Sequence, residues 1–226
     1  MSILFLVSTP IGNLKDISFR ALDVLNSADL ILAEDTRRTK ILLNFYKIKT
    51  LLLSYQEHNE KYRIPAVIQK LKSGEKIALV SDAGTPLISD PGYKLVTATL
   101  SAKIKIEAIP GPSSILCALI LSGLPPDKFC FLGFLPRKEG QKAKLLENLK
   151  NQSFSFTYIA FESPFRLLKT LASLQKAFGE IEVVICRELT KMHEEVIREE
   201  VDVLIQKLAH QKIKGEITLL FHLERD

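Results

Sequence analysis

Long apolar runs are missing from this 226-residue chain. The longest, I-L-C-A-L-I-L-S-G-L over 115–124, has ten residues, against the about 20 that a bilayer-spanning helix needs. The N-terminus, M-S-I-L-F-L-V-S-T-P, has no basic flank and no small-residue cleavage site, and it runs into a Pro/Gly turn and Lys15. It reads as a buried first strand rather than a leader. Cysteine is scarce: Cys117, Cys130 and Cys186 are an odd count without C-x-x-C spacing. That argues against a disulfide framework and predicts buried thiols in a reducing, cytoplasmic compartment. Glycine and proline, 10 of each, repeat at no fixed period, which excludes collagen-like and low-complexity chains. Neither charge dominates: 31 Lys+Arg against 26 Asp+Glu leaves +5, a mild tolerance for an anionic partner.

Familiar catalytic signatures are missing as well. No two glycines stand two apart, so there is no G-x-G-x-x-G. This argues against a Rossmann dinucleotide site and the glycine-rich loop of the commonest methyltransferase fold. G-x-x-x-x-G-K-[ST] and G-x-S-x-G are absent too, leaving neither a P-loop nor a serine-hydrolase elbow. His193-Glu194 does not extend to H-E-x-x-H and the four histidines are scattered, so no metal site is expected. His222 lies on an apolar strand and reads as a core residue.

What is present is an ordinary globular composition, 46% apolar and 25% charged, with enough apolar surface to offset ordering entropy. Short apolar runs alternate with amphipathic ones. The pattern predicts strands at 3–7, 29–33, 50–54, 76–81 and 104–109, with helices at 17–27, 37–46, 58–72, 91–101 and 113–123. Asp16 is a candidate N-cap for the first helix, and Pro91 suits the first position of the fourth. The strands lack polar alternation, as in a mostly parallel sheet covered on both faces. Beyond Gly123-Leu124-Pro125-Pro126 the pattern changes. Strands are expected at 129–134, 156–162, 182–187, 195–200 and 216–222, and helices at 138–150, 164–178 and 201–211. The close pair 182–187 and 195–200 suggests antiparallel pairing and a mixed sheet. The fold class is therefore α/β in two lobes, 1–112 and 113–226, with a linker near 123–127.

Four first-half strands run into turn-formers: S-T-P-I-G-N at 8–13, E-D-T-R-R at 34–38, S-D-A-G-T-P at 81–86 and I-P-G-P-S-S at 109–114. In a parallel sheet these loops share one edge, where open α/β folds bind ligands. The second half closes its strands with F-E-S-P (161–164), R-E-L-T-K (187–191) and K-G-E-I-T (214–218). Glu162, Arg187, Glu188, Lys191 and Glu216 would cluster on one sheet edge, although charged residues closing a strand are as often plain solvated ends. Arg137, Lys138, Lys142, Lys144 and Lys150 form the densest basic stretch and read equally as a solvated helix face.

Taken together, S-T-P-I-G-N-L-x-D-I, A-E-D-T-R-x-T, H-N-E, S-D-A-G-T-P-L-I-S-D-P-G, P-G-P, G-F-L-P-R, F-E-S-P-x-R-L, R-E-L-T-K and K-G-E resemble the bacterial small-subunit ribosomal RNA methyltransferase I family of the tetrapyrrole methylase superfamily. The resemblance runs from Leu6 to Leu220. It implies two α/β lobes with S-adenosylmethionine between them, methylation of a cytidine 2′-oxygen in the decoding region of 16S rRNA within the small ribosomal subunit, and a homodimer without membrane attachment. By position, the resemblance assigns cofactor contact to Pro10, Gly12, Asp82, Gly84, Thr85, Ser113, Ser114, Ile115, Phe161, Leu189, Glu216 and Ile217. Many relatives continue past the K-G-E strand into a helical extension, whereas this sequence ends at Asp226.

A ribose hydroxyl must lose its proton during methyl transfer, and a carboxylate or neutral lysine can take it. Glu34, Asp35, Glu60, Glu162, Glu188 and Lys191 are candidates, with Asp35 and Lys191 preferred. Asp35 competes with Thr36 for capping the following helix. RNA contacts are expected from Arg37, Arg38, Asn59, Lys61, Arg63, Arg137 and Lys138. Tyr55, Tyr62, Phe134 or Phe165 could stack on a splayed base. Two other readings remain: a small-molecule methyltransferase acting on a tetrapyrrole, and a non-catalytic RNA-binding assembly factor.

Overall fold

A computed structural model describes residues 2–224. These divide into two compact units, one ending at Ser113 and the other beginning at Ser114.

The first unit runs β1 (Ile3–Val7), α1 (Phe19–Ser27), β2 (Leu30–Ala33), α2 (Thr36–Phe45), β3 (Leu52–Ser54), α3 (Glu57–Lys72), β4 (Lys76–Val80), α4 (Tyr93–Ser101) and β5 (Lys105–Ile109). The strands form one sheet in the order β3-β2-β4-β1-β5, and every pairing is parallel. Side chains alternate between faces. Ile31, Ala33, Ala78 and Val80 pack with Val24, Leu25, Leu42 and Leu43 from α1 and α2. Leu30, Leu32, Ile77 and Leu79 pack with Val67, Leu71 and Leu95 from α3 and α4. Both faces are thus covered, which is why the strands read as unbroken apolar runs. Each strand's C-terminus, with the loop that follows it, falls on one edge.

Two helix starts differ from the sequence reading. Asp16 does not cap α1: it ends the single 3-10 turn Leu14–Asp16, which its amide closes on the Asn13 carbonyl (3.0 Å), and α1 starts only at Phe19. Ser18 is the cap, its hydroxyl accepting from the Ala21 amide at 3.1 Å. Pro91 is not at the first position of α4 either, because Gly92 intervenes as N-cap at φ 133°. A Cβ on Gly92 would lie 2.7 Å from Leu79 Cδ2, so the backbone there passes directly over the core.

The second unit runs α5 (Ser114–Ser122), β6 (Phe129–Phe134), α6 (Glu139–Lys150), β7 (Phe156–Glu162), α7 (Leu167–Phe178), β8 (Glu182–Arg187), β9 (Glu195–Glu200), α8 (Val201–Leu208) and β10 (Ile217–Leu223). Its sheet has the order β6-β7-β10-β8-β9. Only β6–β7 is parallel; the other pairings are antiparallel, the close pair β8–β9 among them. The sheet is mixed, as expected. Leu146, Leu171, Leu174 and Leu204 from α6, α7 and α8 pack on Tyr158, Val183, Leu219 and Phe221. Lys142 corrects the picture of a solvated basic face on α6: it is 2% exposed, its ammonium 3.2 Å from Glu139 Oε1. Cys186 is buried, but Cys117 and Cys130 are only half-buried, and all three are free thiols.

Candidate functional site

Three of the four turn loops at the first unit's edge are laced together. Thr9 and Gly84 exchange backbone hydrogen bonds (2.9 and 3.0 Å). Gly84 adopts φ +79° to do so, a conformation that disfavours any residue with a Cβ. The Ser8 hydroxyl donates to Thr85 Oγ1 (3.3 Å), whose own hydroxyl donates to the Pro112 carbonyl (3.4 Å). Behind them lies a pocket of about 180 Å³ lined by Thr9, Pro10, Leu14, Arg38, Ser81 and Asp82, among others. Of the cofactor candidates, Pro10 and Asp82 line it, while Gly84 and Thr85 form its lacing. Gly12 lies exposed in the first turn. Ser113 closes this unit; Ser114 and Ile115 open α5 in the other.

The second loop joins through Asp82, whose Oδ1 accepts from the Asp35 amide at 2.8 Å and whose Oδ2 lies 3.6 Å from Arg38. Asp35 is the N-cap of α2 and is chelated by Arg37. Its Oδ1 takes the Arg37 amide (2.9 Å) and Nε (3.0 Å), and its Oδ2 takes Nη2 (2.7 Å). These bonds to Arg37 hold its pKa at about 2. A carboxylate so held is a poor proton acceptor, and the capping role prevails over the catalytic one.

Glu34 is the opposite case. Its Oε2 is buried without a hydrogen-bond partner among the described residues. Burial, then the nearby Asp90 and Asp82 charges, raise its pKa to about 7, with Arg38 opposing. Asp90 itself is raised to about 6, chiefly by burial. Asp90 reaches this cluster from the loop before α4, a proximity that nothing in its local S-D-P-G context signals.

In the second unit, β7, β8 and β10 bring their polar ends to one edge, where Glu162, Ile217 and Arg187 stand in register. Glu188 Oε1 accepts from Lys191 Nζ and from the Glu216 amide, both at 2.8 Å, and Lys191 also reaches Glu216 Oε2 at 3.0 Å. Burial works against the Lys191 charge, but the bonds to Glu188 and Glu216 outweigh it and raise its pKa. Lys191 is therefore an ammonium ion-pair hub, unsuited to accept a proton. Three of the five residues expected to cluster do so. Arg187 borders them, pairing with Glu195 (2.9 Å) and donating to the Lys214 carbonyl (3.3 Å), while Glu162 turns inward to Arg166 and Thr170. Leu189 and Ile217 are buried, Phe161 is half-buried and Glu216 is exposed.

Gly215 makes this edge possible. It sits at φ +95°, and a Cβ there would lie 2.5 Å from Glu188 Cγ. Gly215→Ala is expected to cost about 1–2 kcal/mol, from the left-handed backbone and the displaced Glu188. A denaturant midpoint equal to wild type would refute this.

Among the RNA candidates, Arg37, Arg38, Arg137 and Lys138 are exposed. Asn59 is not free for RNA: its Oδ1 caps the Gln56 amide (2.9 Å) and its Nδ2 reaches the Ser54 carbonyl (3.5 Å). Tyr55 is fully buried, its hydroxyl donating to Glu60 at 2.9 Å, so it offers no face to a base. His222 bonds Thr157 Oγ1 at 3.0 Å through Nδ1. Among the described residues, no group of three or more His, Cys, Asp or Glu is placed to hold a metal ion, and no helix is long and apolar enough to cross a membrane.

Residues 4–204 match the family description "Tetrapyrrole (Corrin/Porphyrin) Methylases". The chain belongs to this family. Within it, the ribosomal RNA small subunit methyltransferase I of Thermotoga maritima is 49% identical over 97% of this chain and 98% of its own length. The proteins of the same name from Bacillus subtilis and Halalkalibacterium halodurans are 46% and 48% identical, over 97% and 96% of this chain and 75% and 74% of their own lengths. Among solved structures, the cobalamin biosynthetic enzyme cobalt precorrin-4 methyltransferase superposes with a TM-score of 0.71 at 18% identity, covering 97% of this chain and 94% of its own. Uroporphyrin-III-C-methyltransferase from Thermus thermophilus gives 0.63 at the same identity and coverage. These two share the tetrapyrrole methylase fold.

Proposed function

We propose that this protein transfers a methyl group from S-adenosylmethionine to the 2′-hydroxyl of a cytidine in 16S ribosomal RNA, within the small ribosomal subunit. The observation that carries the reading is identity of 46–49%, over 96–97% of this chain, to proteins named as ribosomal RNA small subunit methyltransferases I, one of them matched over 98% of its own length. Action in the cytoplasm as a homodimer belongs to the same reading.

The residues present fit such a donor. When bound, S-adenosylmethionine supplies a methyl group activated by a positively charged sulfonium. The first unit's edge gathers Glu34, Asp82 and Asp90 with one carboxylate oxygen left unpaired, an environment that favours a cation. Pro10, Gly12, Asp82, Gly84, Thr85 and Ser113 are the residues of this unit that would hold it. Ser114, Ile115, Phe161, Leu189, Glu216 and Ile217 are those of the second. The laced loops supply rigidity, and holding reactants in line is worth about 7–11 kcal/mol of the barrier. Proton acceptance from the ribose hydroxyl falls to Glu34 rather than to Asp35 or Lys191. A carboxylate with a pKa near operating pH balances availability against basicity, and Glu34 alone among these three is so poised.

The test incubates the protein with methyl-labelled cofactor and small subunits from a strain lacking this gene, followed by nuclease mapping. Label in a 2′-O-methylcytidine is the expected result. Label on a base, or none despite calorimetric binding of the cofactor, overturns the assignment. Absence of cofactor binding favours an assembly factor instead.

A further inference from the structure

The second unit exposes two phenylalanines at neighbouring chain reversals, Phe134 at the end of β6 and Phe165 in the turn before α7. Pairing of β6 with β7 shifts register between Phe131 and Phe134, where Gly133 takes φ +65°. Such a bulge re-aims the residue beyond it. Phe134 emerges 59% exposed, its ring edge-on to Phe161 at 5.6 Å. Phe165, in the turn before α7, is 94% exposed. The two turns are tied: Arg166 Nη2 donates to the Leu135 carbonyl at 2.5 Å and to the Pro136 carbonyl at 3.4 Å. The residue after Phe165 thus grips the residues after Phe134.

Charge beside these rings suits an anionic partner. Arg137 and Lys138 continue the same turn and are exposed. The nearest acid along the chain, Glu139, is engaged by Lys142 at 3.2 Å. Aromatic faces next to unpaired cations are the pairing that single-stranded nucleic acid requires, the rings for bases and the cations for phosphates. A membrane or a second copy of the chain would need a wider apolar face than two rings bordered by charge.

We infer that Phe134 and Phe165 form a platform on which unpaired bases of the RNA substrate stack, with Arg137 and Lys138 holding the adjoining phosphates. The inference rests on the ribosomal RNA reading above. Phe165 is the decisive position, because its ring is almost wholly outside the fold and its removal leaves packing intact.

The experiment compares wild type, Phe165→Ala, Phe134→Ala and Phe165→Trp on small subunits lacking the modification. Phe165→Ala and Phe134→Ala should raise KM for subunits about tenfold, and in Phe165→Ala, whose ring is clear of the proposed cofactor residues, kcat and cofactor affinity should stay within twofold of wild type. Phe165→Trp should retain the wild-type KM. Arg137→Ala and Lys138→Ala should each lower the salt slope of RNA binding by about one. Ultraviolet crosslinking of wild type to subunits, read by peptide mapping, should place RNA on the Phe134 and Phe165 peptides. Turnover with unchanged KM in both alanine variants and no crosslink at either peptide refutes the platform. A change in sedimentation instead of KM would mark the face as a contact between copies, and also refutes it. Crosslinks at these peptides without wild-type turnover would support the platform and count against the methyltransferase reading alone.

Discussion

Arg166→Met should destabilise the second unit by about 3 kcal/mol, and much of that loss should disappear when Glu162→Gln is added. Glu162 is 2% exposed and closes β7. Its Oε1 takes the Ser163 amide (2.7 Å) and lies 3.3 Å from Arg166 Nε; its Oε2 takes the Thr170 hydroxyl (2.6 Å) and lies 3.4 Å from Arg166 Nη2. Removing the guanidinium leaves a buried charge without its counter-ion, which costs about 3–5 kcal/mol. The two neutral donors that remain place the loss near the lower end. With Glu162→Gln already in place there is no charge to strand, so the same arginine deletion should cost about 1–2 kcal/mol less. Urea unfolding of the four proteins of this double-mutant cycle measures it. Strict additivity would mean that Arg166 acts only through its bonds to the Leu135 and Pro136 carbonyls.

Glu34→Gln should do the reverse and stabilise the protein by about 1–2 kcal/mol at pH 8. The folded-state pKa of Glu34 is raised from 4.5 to about 7 by burial and by Asp90 and Asp82, against Arg38. Between these values the folded state binds more protons than the unfolded one, so stability falls as pH rises from about 4.5 to about 7. The shift, 7 − 4.5, or about 2.5 units, corresponds at most to about 3.4 kcal/mol. Glu34 is only half-buried, and screening by solvent reduces that figure. Glutamine keeps the shape and cannot ionise, so the gain should be present at pH 8 and vanish below about pH 4.5. Thermal midpoints across this range test it, and an equal difference at both ends would refute it. The same substitution should slow methyl transfer and remove the limb of the kcat profile near pH 7. Unchanged turnover would take proton acceptance away from Glu34.

Both predictions concern carboxylates whose roles their neighbours in the chain do not disclose. Glu162 closes its strand as Glu34 closes β2, and either could have been a solvated end. Asp35 and Lys191 had the chemistry of proton acceptors as residue types, yet Arg37 in one case and Glu188 with Glu216 in the other fix them as ions. Asn59 and Tyr55 likewise had the right chemistry for RNA and were spent on a helix cap and a buried hydroxyl contact. Lys142 belonged to a basic run by sequence and to the interior by packing.

The order of apolar runs and turn-formers by itself determined the alternation of strands and helices. From that alternation followed the parallel first sheet, the mixed second one and the shared edge carrying the Gly/Pro loops, because periodicity and chain direction are local properties that neighbouring residues express directly. Which carboxylate is unpaired, which lysine is held as an ion and which aromatic ring is left bare were decided only by the tertiary structure. Charge state and exposure depend on desolvation and on partners brought in from remote parts of the chain, such as Asp90 beside Glu34 or Arg166 against Leu135, and no local pattern encodes those meetings.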